Sequence, residues 1–297
     1  MRADRPPIAT HLLTKDYGSG RGIFDLDLVI DRGEVFGFLG PNGAGKTTTI
    51  RQLMGLVRPS RGSAEIFGLD CQRDSVEVKR HIGYLPGELP QYGGWKGTEV
   101  VAYLAGLRGN VDPGEVRRIA ERFDLDLGRT YREYSHGNKQ KLALVVAFMH
   151  RPELLILDEP TSGLDPLNQH QFHELVDGAI ARGASVFLSS HVLSEVEQLC
   201  DRAGIVREGR LVALAPLAEL RAAKEREVEI RFASAPPIER IRALDGVTVL
   251  ESTGPRVRCR VRGSIAPLVT VLRDAEVVDL VTHEPTLEQA FLSFYSA

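Results

Sequence analysis

The residues Gly40-Pro41-Asn42-Gly43-Ala44-Gly45-Lys46-Thr47 follow the spacing GxxxxGK[ST]. Glycines at that spacing let successive backbone N–H groups converge on phosphate oxygens, and a helix after the loop adds the positive end of its dipole. Lys46 supplies a mobile positive charge for β- and γ-phosphates, Thr47 a hydroxyl for Mg²⁺, and Thr48 continues the phosphate-binding stretch. A second constellation, Leu154-Leu155-Ile156-Leu157-Asp158-Glu159, is an apolar run ending in two carboxylates. Burial of that run would hold both carboxylates beside the loop, with Asp158 kept ionised by bound Mg²⁺. Glu159 can then orient or deprotonate an attacking water. A glycine-rich turn with an incidental lysine and an ordinary acidic turn are the bland alternatives, and the presence of both patterns in one chain argues against each. Phosphoryl transfer to water is the chemistry this pair supports.

These residues need elements to position them. Val35–Leu39 reads as a strand entering the loop, and Thr47–Leu56 as the helix leaving it, ahead of the breakers Pro59 and Gly62. Ala64–Phe67 and His81–Leu85 read as short strands. From Thr98 to His150 the pattern is helical, with segments at Thr98–Leu107, Pro113–Phe123 and Asn138–Met149. Strand and helix then alternate through Leu154–Leu157, Leu167–Arg182, Ser185–Ser189 and Leu193–Cys200, and Ala203–Arg207 and Leu211–Leu214 flank a hairpin-like Glu208-Gly209 turn. This order predicts an α/β fold: a mainly parallel sheet with helices on both faces, interrupted by an all-helical insertion near 96–150.

After Pro216 the pattern changes. Strands at Glu225–Phe232, Val247–Glu251, Arg256–Arg262 and Glu276–Val281 are separated by helices at Ile238–Leu244 and Ile265–Arg273. That is the split βαβ order of a small α+β domain, closed by a helix at Thr286–Tyr295. The expected boundaries are 1–215 for the large domain and 216–297 for the small one.

The 297 residues carry 37 Lys+Arg against 40 Asp+Glu, a net charge of −3, without the basic excess of a nucleic-acid binder. With 43% hydrophobic and 26% charged residues the chain can bury a full core. Cys71, Cys200 and Cys259 lie far apart, share no metal-ligand spacing and point to a reduced, cytosolic compartment. The longest apolar run, Leu142–Met149, is far short of a membrane span. Arg2, Asp4, Arg5, Pro6 and Pro7 stand where an export signal would be apolar.

The two constellations, in this order, resemble those of the ATP-hydrolysing subunit of ATP-binding-cassette (ABC) transporters over residues 8–215. That resemblance implies a P-loop NTPase cassette binding ATP and Mg²⁺. It also implies roles for further residues. Tyr17, in Lys15-Asp16-Tyr17-Gly18, matches the aromatic that stacks on adenine. Ser135 and Gly137, in Tyr134-Ser135-His136-Gly137-Asn138, match the signature that reaches a nucleotide held by another copy. Ser162-Gly163-Leu164-Asp165 matches the loop that meets that copy, and His191 the γ-phosphate sensor. Singly, Tyr17 could be half-buried core, Ser135 an ordinary helix cap and His191 a surface imidazole.

Two departures stand out. His136 and Asn138 replace a glycine and the glutamine of the usual Leu-Ser-Gly-Gly-Gln signature. Gly87 stands where the family has a glutamine after Ile82-Gly83-Tyr84-Leu85-Pro86, with Glu88 or Gln91 as replacements. Such changes, and the ending Glu284-Pro285-Thr286-Leu287-Glu288-Gln289-Ala290-Phe291, resemble the drug and antibiotic exporter subset. The resemblance implies a separately encoded integral-membrane permease, pairing with a second copy or a homologous ATPase subunit, and a peripheral place on the cytoplasmic face of a bacterial membrane. A non-transport ABC ATPase, regulatory or associated with ribosome or DNA, is the alternative.

In the small domain Arg256, Arg258, Arg260 and Arg262 share one strand face. They read either as an anion or nucleic-acid site or as ladder partners of Glu227 and Glu229.

Overall fold

The computed structural model describes residues 5–109, 111–217 and 226–283. It opens on a hairpin, β1 (Ile8–Asp16) and β2 (Gly22–Ile30), paired antiparallel with Ile8 opposite Ile30. After β3 (Val35–Leu39), the strands β4 (Arg61–Ile66) and β5 (Leu69–Asp70) join that hairpin in a four-stranded sheet of order β2-β1-β4-β5. The alternation read from the sequence has no strand before Val35 and counts Ala64–Phe67 with the parallel strands, and the fold corrects both. The reason is local: register shifts near Leu13 and left-handed residues at Leu12 (φ 43°) and Asp25 (φ 52°) break the two-residue period that marks a strand.

The second sheet has six strands in the order β10-β9-β3-β8-β7-β6. Its members are β6 (Ile82–Leu85), β7 (Leu154–Asp158), β8 (Ser185–Ser190), β9 (Arg202–Arg207), β10 (Arg210–Pro216) and β3. Every residue of β3, β7 and β8 is buried, as expected for parallel strands covered on both faces. The pairs β3–β8, β8–β7, β7–β6 and β3–β9 are parallel, so their carboxyl ends lie along one edge, where α/β sheets place their ligands. Helix α1 (Lys46–Leu53) follows β3. It ends three residues before Leu56 because Gly55 turns left-handed (φ 65°) against the Cys71 carbonyl, 2.5 Å from where a Cβ would stand. A short α2 (Ser75–Arg80) precedes β6, and α6 (Pro166–Ile180) and α7 (Leu193–Leu199) flank β8.

Between β6 and β7 lie α3 (Gly97–Arg108), α4 (Pro113–Arg122) and α5 (His136–Phe148). Asp112 caps α4 through the Gly114 N–H at 2.8 Å, with Pro113 in the first turn. Within α4 the Glu115 side chain, 3% exposed, accepts from Arg118 at 2.6 Å and from Arg151, just before β7, at 3.0 Å. This ties the helical segment to the strand that carries Asp158.

Contact within the chain separates residues 1–214 from a second compact unit, 215–297. The second unit runs β11 (Arg226–Phe232), α8 (Ile238–Arg242), β12 (Val247–Thr253), β13 (Arg256–Val261), α9 (Ala266–Arg273) and β14 (Val277–His283). The sheet order is β12-β13-β11-β14, with Val228, Ile230, Phe232 and Cys259 packed on Ile241, Leu268 and Leu272 of the helices. In register, Glu227 faces Arg260 and Glu229 faces Arg258, and Arg260 Nη2 lies 3.4 Å from Glu227 Oε1. Arg258 and Arg260 are therefore ladder partners of the acids, while Arg256 stands opposite Arg231. The expected helix at 286–295 lies outside the described residues.

Glu115 makes a measurable prediction. The hydrogen bond from Arg118, and then that from Arg151, outweigh burial and hold its carboxyl at about 2 instead of the ordinary 4.5. A carboxyl depressed in the folded state stabilises above its unfolded value and loses that contribution as pH falls through its folded value. Glu115→Gln should lower unfolding free energy by roughly 2 kcal/mol near neutral pH. In urea titrations the gap between variant and wild type should close between pH 4.5 and about 2; a gap independent of pH would contradict this.

Candidate functional site

The loop after β3 is shaped by what its glycines cannot carry. A Cβ on Gly40 would stand 2.5 Å from the Val206 carbonyl oxygen. Gly43 (φ 83°) and Gly45 (φ 109°) are left-handed, and Gly45 caps α1 while its bare Cα abuts the Gly22 carbonyl. Lys46, 6% exposed, donates from Nζ to the Gly40 carbonyl at 2.6 Å and lies 3.4 Å from Glu159 Oε1. The Thr47 hydroxyl donates to Asp158 Oδ2 at 2.9 Å, and the Ser189 hydroxyl to Oδ1. Asp158 pairs in register with Ser189 across β7 and β8, so the strand order itself brings them together.

Glu159 adopts φ 52°, a conformation unfavourable for a side chain of this kind. Its N–H donates to the Ser189 carbonyl at 3.2 Å, and its carbonyl accepts from Gln140 Nε2 at 3.2 Å. These contacts keep its carboxylate at the mouth of the loop, where Oε2 lies 2.7 Å from His191 Nδ1. Both carboxylate oxygens are thus engaged, one by Lys46 and the other by His191, which fixes the direction in which the acid points.

These groups surround a cavity of about 370 Å³. Tyr17, Pro41, Asn42, Gly43, Gly45, Lys46, Thr47 and Thr48 line it with Asp158 and Glu159. Gly40 contributes through its carbonyl bond to Lys46, Ala44 is buried behind the loop, and His191 stands behind Glu159. Arg21 and Lys46 line it together with Glu88, Asp158 and Glu159, and Glu88 is paired with Arg51 at 3.5 Å. The hard oxygens of Thr47 and Asp158 suit Mg²⁺, which binds through few protein groups plus phosphate oxygens.

Ser135 and Gly137 do not line this cavity. Ser135 caps α5, accepting the Asn138 N–H at 3.2 Å. A Cβ on Gly137 would stand 2.8 Å from the Gly163 carbonyl, and one on Gly163 2.4 Å from His136, so the Ser135–Asn138 and Ser162–Asp165 segments form a separate tight contact. Gly87 lies against Asp158, where a Cβ would come 2.8 Å from the side-chain Oδ2. Glu88 lines the cavity, 3.5 Å from Arg51, whereas Gln91 is not among the lining residues and bonds the Leu89 carbonyl at 3.4 Å.

Sequence reasoning missed Arg21, Ser189 and Gln140. The Ser189-Ser190 pair before His191 was a visible signal, but nothing local marks Gln140, whose partner is 19 residues on.

Comparison with known proteins agrees with this geometry. The family model described as ABC transporter matches residues 23–162. The bacitracin transport ATP-binding protein BcrA of Bacillus licheniformis is 38% identical over 76% of this chain and 74% of its own length. The daunorubicin resistance ATP-binding protein DrrA3 of Streptomyces coeruleorubidus is 35% identical over 94% of this chain and 92% of its own, a span that includes the second unit. A solved ATP-binding subunit of an ABC transporter is similar at TM-score 0.67 and 33% identity, covering 72% of this chain and 91% of that one.

Ser189→Ala removes one of the two hydroxyls that orient Asp158. Loss of such a supporting bond costs roughly 10–100-fold in activity or metal affinity. ATP turnover, measured as phosphate release across a Mg²⁺ titration, should fall by about that factor with the half-saturating Mg²⁺ concentration raised. An unchanged Mg²⁺ dependence would show that Ser189 does not orient a metal-binding carboxylate.

Proposed function

The chain belongs to the ABC transporter family as an ATP-binding subunit with ATPase activity, and we propose that it closes on MgATP with a second copy, or a homologous subunit, to drive a separate membrane permease of the drug- or antibiotic-export kind. One observation carries this reading. Lys46, Thr47, Asp158 and Glu159 line one cavity, backed by His191, while Ser135 and Gly137 lie outside it and serve the chemistry only by reaching a nucleotide on another copy.

In this reading Tyr17 stacks on adenine, and the amides of Gly43 to Thr48 with Lys46 take the phosphates. Mg²⁺, held by Thr47 and Asp158, would neutralise charge on the phosphate oxygens. The arriving γ-phosphate replaces Glu159 as the partner of Lys46, so Glu159 is released to accept the proton of the attacking water as its oxygen bonds phosphorus and ADP departs. His191 holds the second Glu159 oxygen and keeps the carboxylate aimed. Loss of the γ-phosphate removes the link to Ser135 and Gly137 of the other copy, and the closed pair gives way to the open one.

Export of a drug or antibiotic is supported by the transport and resistance functions in the names of the relatives. Among the described residues no helix is long and apolar enough to cross a membrane; the proposed place is the inner membrane face, held by the permease. Exposed Tyr103 and Leu107 on α3, with Trp95 edge-on to Tyr103 at 5.5 Å, offer that permease an apolar surface.

Glu159→Gln should bind MgATP, turn over ~10²–10⁴-fold more slowly and accumulate as a dimer in light scattering. Adding Ser135→Arg to that background should abolish the dimer and leave ATP binding intact. A dimer that survives Ser135→Arg, or near-normal turnover in Glu159→Gln, rejects the shared site.

Glu88, which faces the cavity where Gln91 does not, is assigned the coupling role of the missing glutamine. Glu88→Ala should lose stimulation by permease in membranes, and any fall in the turnover of the isolated subunit should be smaller than that loss. Stimulation lost instead in Gln91→Ala would move the role three residues on.

A further inference from the structure

The connection from β1 to β2, Tyr17 to Arg21, is tightly built. The Asp16 carboxylate accepts the Gly18 N–H at 2.7 Å, the Tyr17 N–H donates to the Arg21 carbonyl at 2.9 Å, and Gly18, Ser19 and Gly20 are all left-handed. Arg21 is thereby fixed at its backbone, between Tyr17 and Gly22, and the Gly22 carbonyl abuts Gly45 of the phosphate loop. Arg21, exposed to solvent, lines the same cavity as Tyr17 and Lys46. The two cavity cations differ in one respect. Lys46 is engaged by the Gly40 carbonyl and Glu159, whereas among the described residues no carboxylate or carbonyl bonds the Arg21 guanidinium.

Contacts link the lining residues in a series: Tyr17 bonds Arg21 through the backbone, Gly22 beside Arg21 packs on Gly45, Lys46 and Thr47 follow Gly45, and Thr47 bonds Asp158. A nucleotide read in the same direction is base, α-phosphate, β-phosphate, then γ-phosphate with its metal. We propose that Arg21 binds the α-phosphate, a second phosphate-binding cation at the base end of the site. The assignment rests on the ATP-binding reading above and adds a residue that the phosphate-loop pattern does not contain. A planar guanidinium can give two parallel N–H bonds to phosphate oxygens, a geometry that an ammonium cannot reproduce. Because ATP and ADP both carry the α-phosphate, Arg21 would hold the nucleotide before and after hydrolysis, unlike Lys46, whose γ-phosphate contact is lost.

Equilibrium titration of ATP and ADP with Mg²⁺ tests this on the full chain. Arg21→Ala and Arg21→Gln should each weaken ATP and ADP by the same factor, roughly tenfold, as expected for one charge-assisted contact. Arg21→Lys should recover part of the loss, and the salt dependence of affinity should be shallower in Ala and Gln than in wild type. A loss confined to ATP would place Arg21 at the γ-phosphate and overturn the assignment. Unchanged affinities in both variants would overturn it too, provided Lys46→Ala loses ATP binding in the same assay. If Lys46→Ala also binds as wild type, the phosphate-loop reading itself falls.

Discussion

The Thr47 hydroxyl lies 2.9 Å from one oxygen of Asp158, and the Ser189 hydroxyl bonds the other. Thr47 opens the helix after the phosphate loop, Asp158 ends β7, and Ser189 belongs to β8, which lies between β3 and β7. One buried carboxylate thus gathers three segments of the chain at a single sheet edge. A buried carboxylate is costly unless its lone pairs are taken. Here that condition dictates the neighbours, and the neighbours set the site.

Close backbone approach is the second constraint. Gly40 against the Val206 carbonyl and Gly45 against the Gly22 carbonyl leave no space for a β-carbon, so the backbone of the phosphate loop packs directly on neighbouring main chain. A loop held so closely at its backbone presents its own N–H groups in fixed directions, which suits a ligand recognised by its phosphates. Gly87 lies against the Asp158 carboxylate, and Glu88, the next residue, lines the cavity beside it.

The outward face of the second unit obeys a different balance. Along its ladder Glu227 and Glu229 face Arg260 and Arg258, and Glu251 approaches Arg258 from β12. Opposite charges at these cross-strand positions offset one another, while Arg256 stands opposite Arg231 at the end of the ladder.

Residues 40–47 and 154–159 were legible in the sequence because their chemistry is contiguous: eight residues shape the loop, and an apolar run with two terminal acids announces a buried strand end. The helical segment, the α/β alternation and the split βαβ order were legible for the same reason, since periodicity and caps are local. The antiparallel sheet was hidden, because bulges at Leu12–Leu13 and left-handed Asp25 erase the alternation that marks a strand. The supports of the site, Ser189 on Asp158 and Gln140 on Glu159, come from residues 31 and 19 positions apart, and Arg21 lines the cavity beside Gly22, which packs on Gly45 from 23 residues away. Local sequence carries the chemistry of each segment. The pairing of segments is a property of strand order and packing, and only the folded chain decides it.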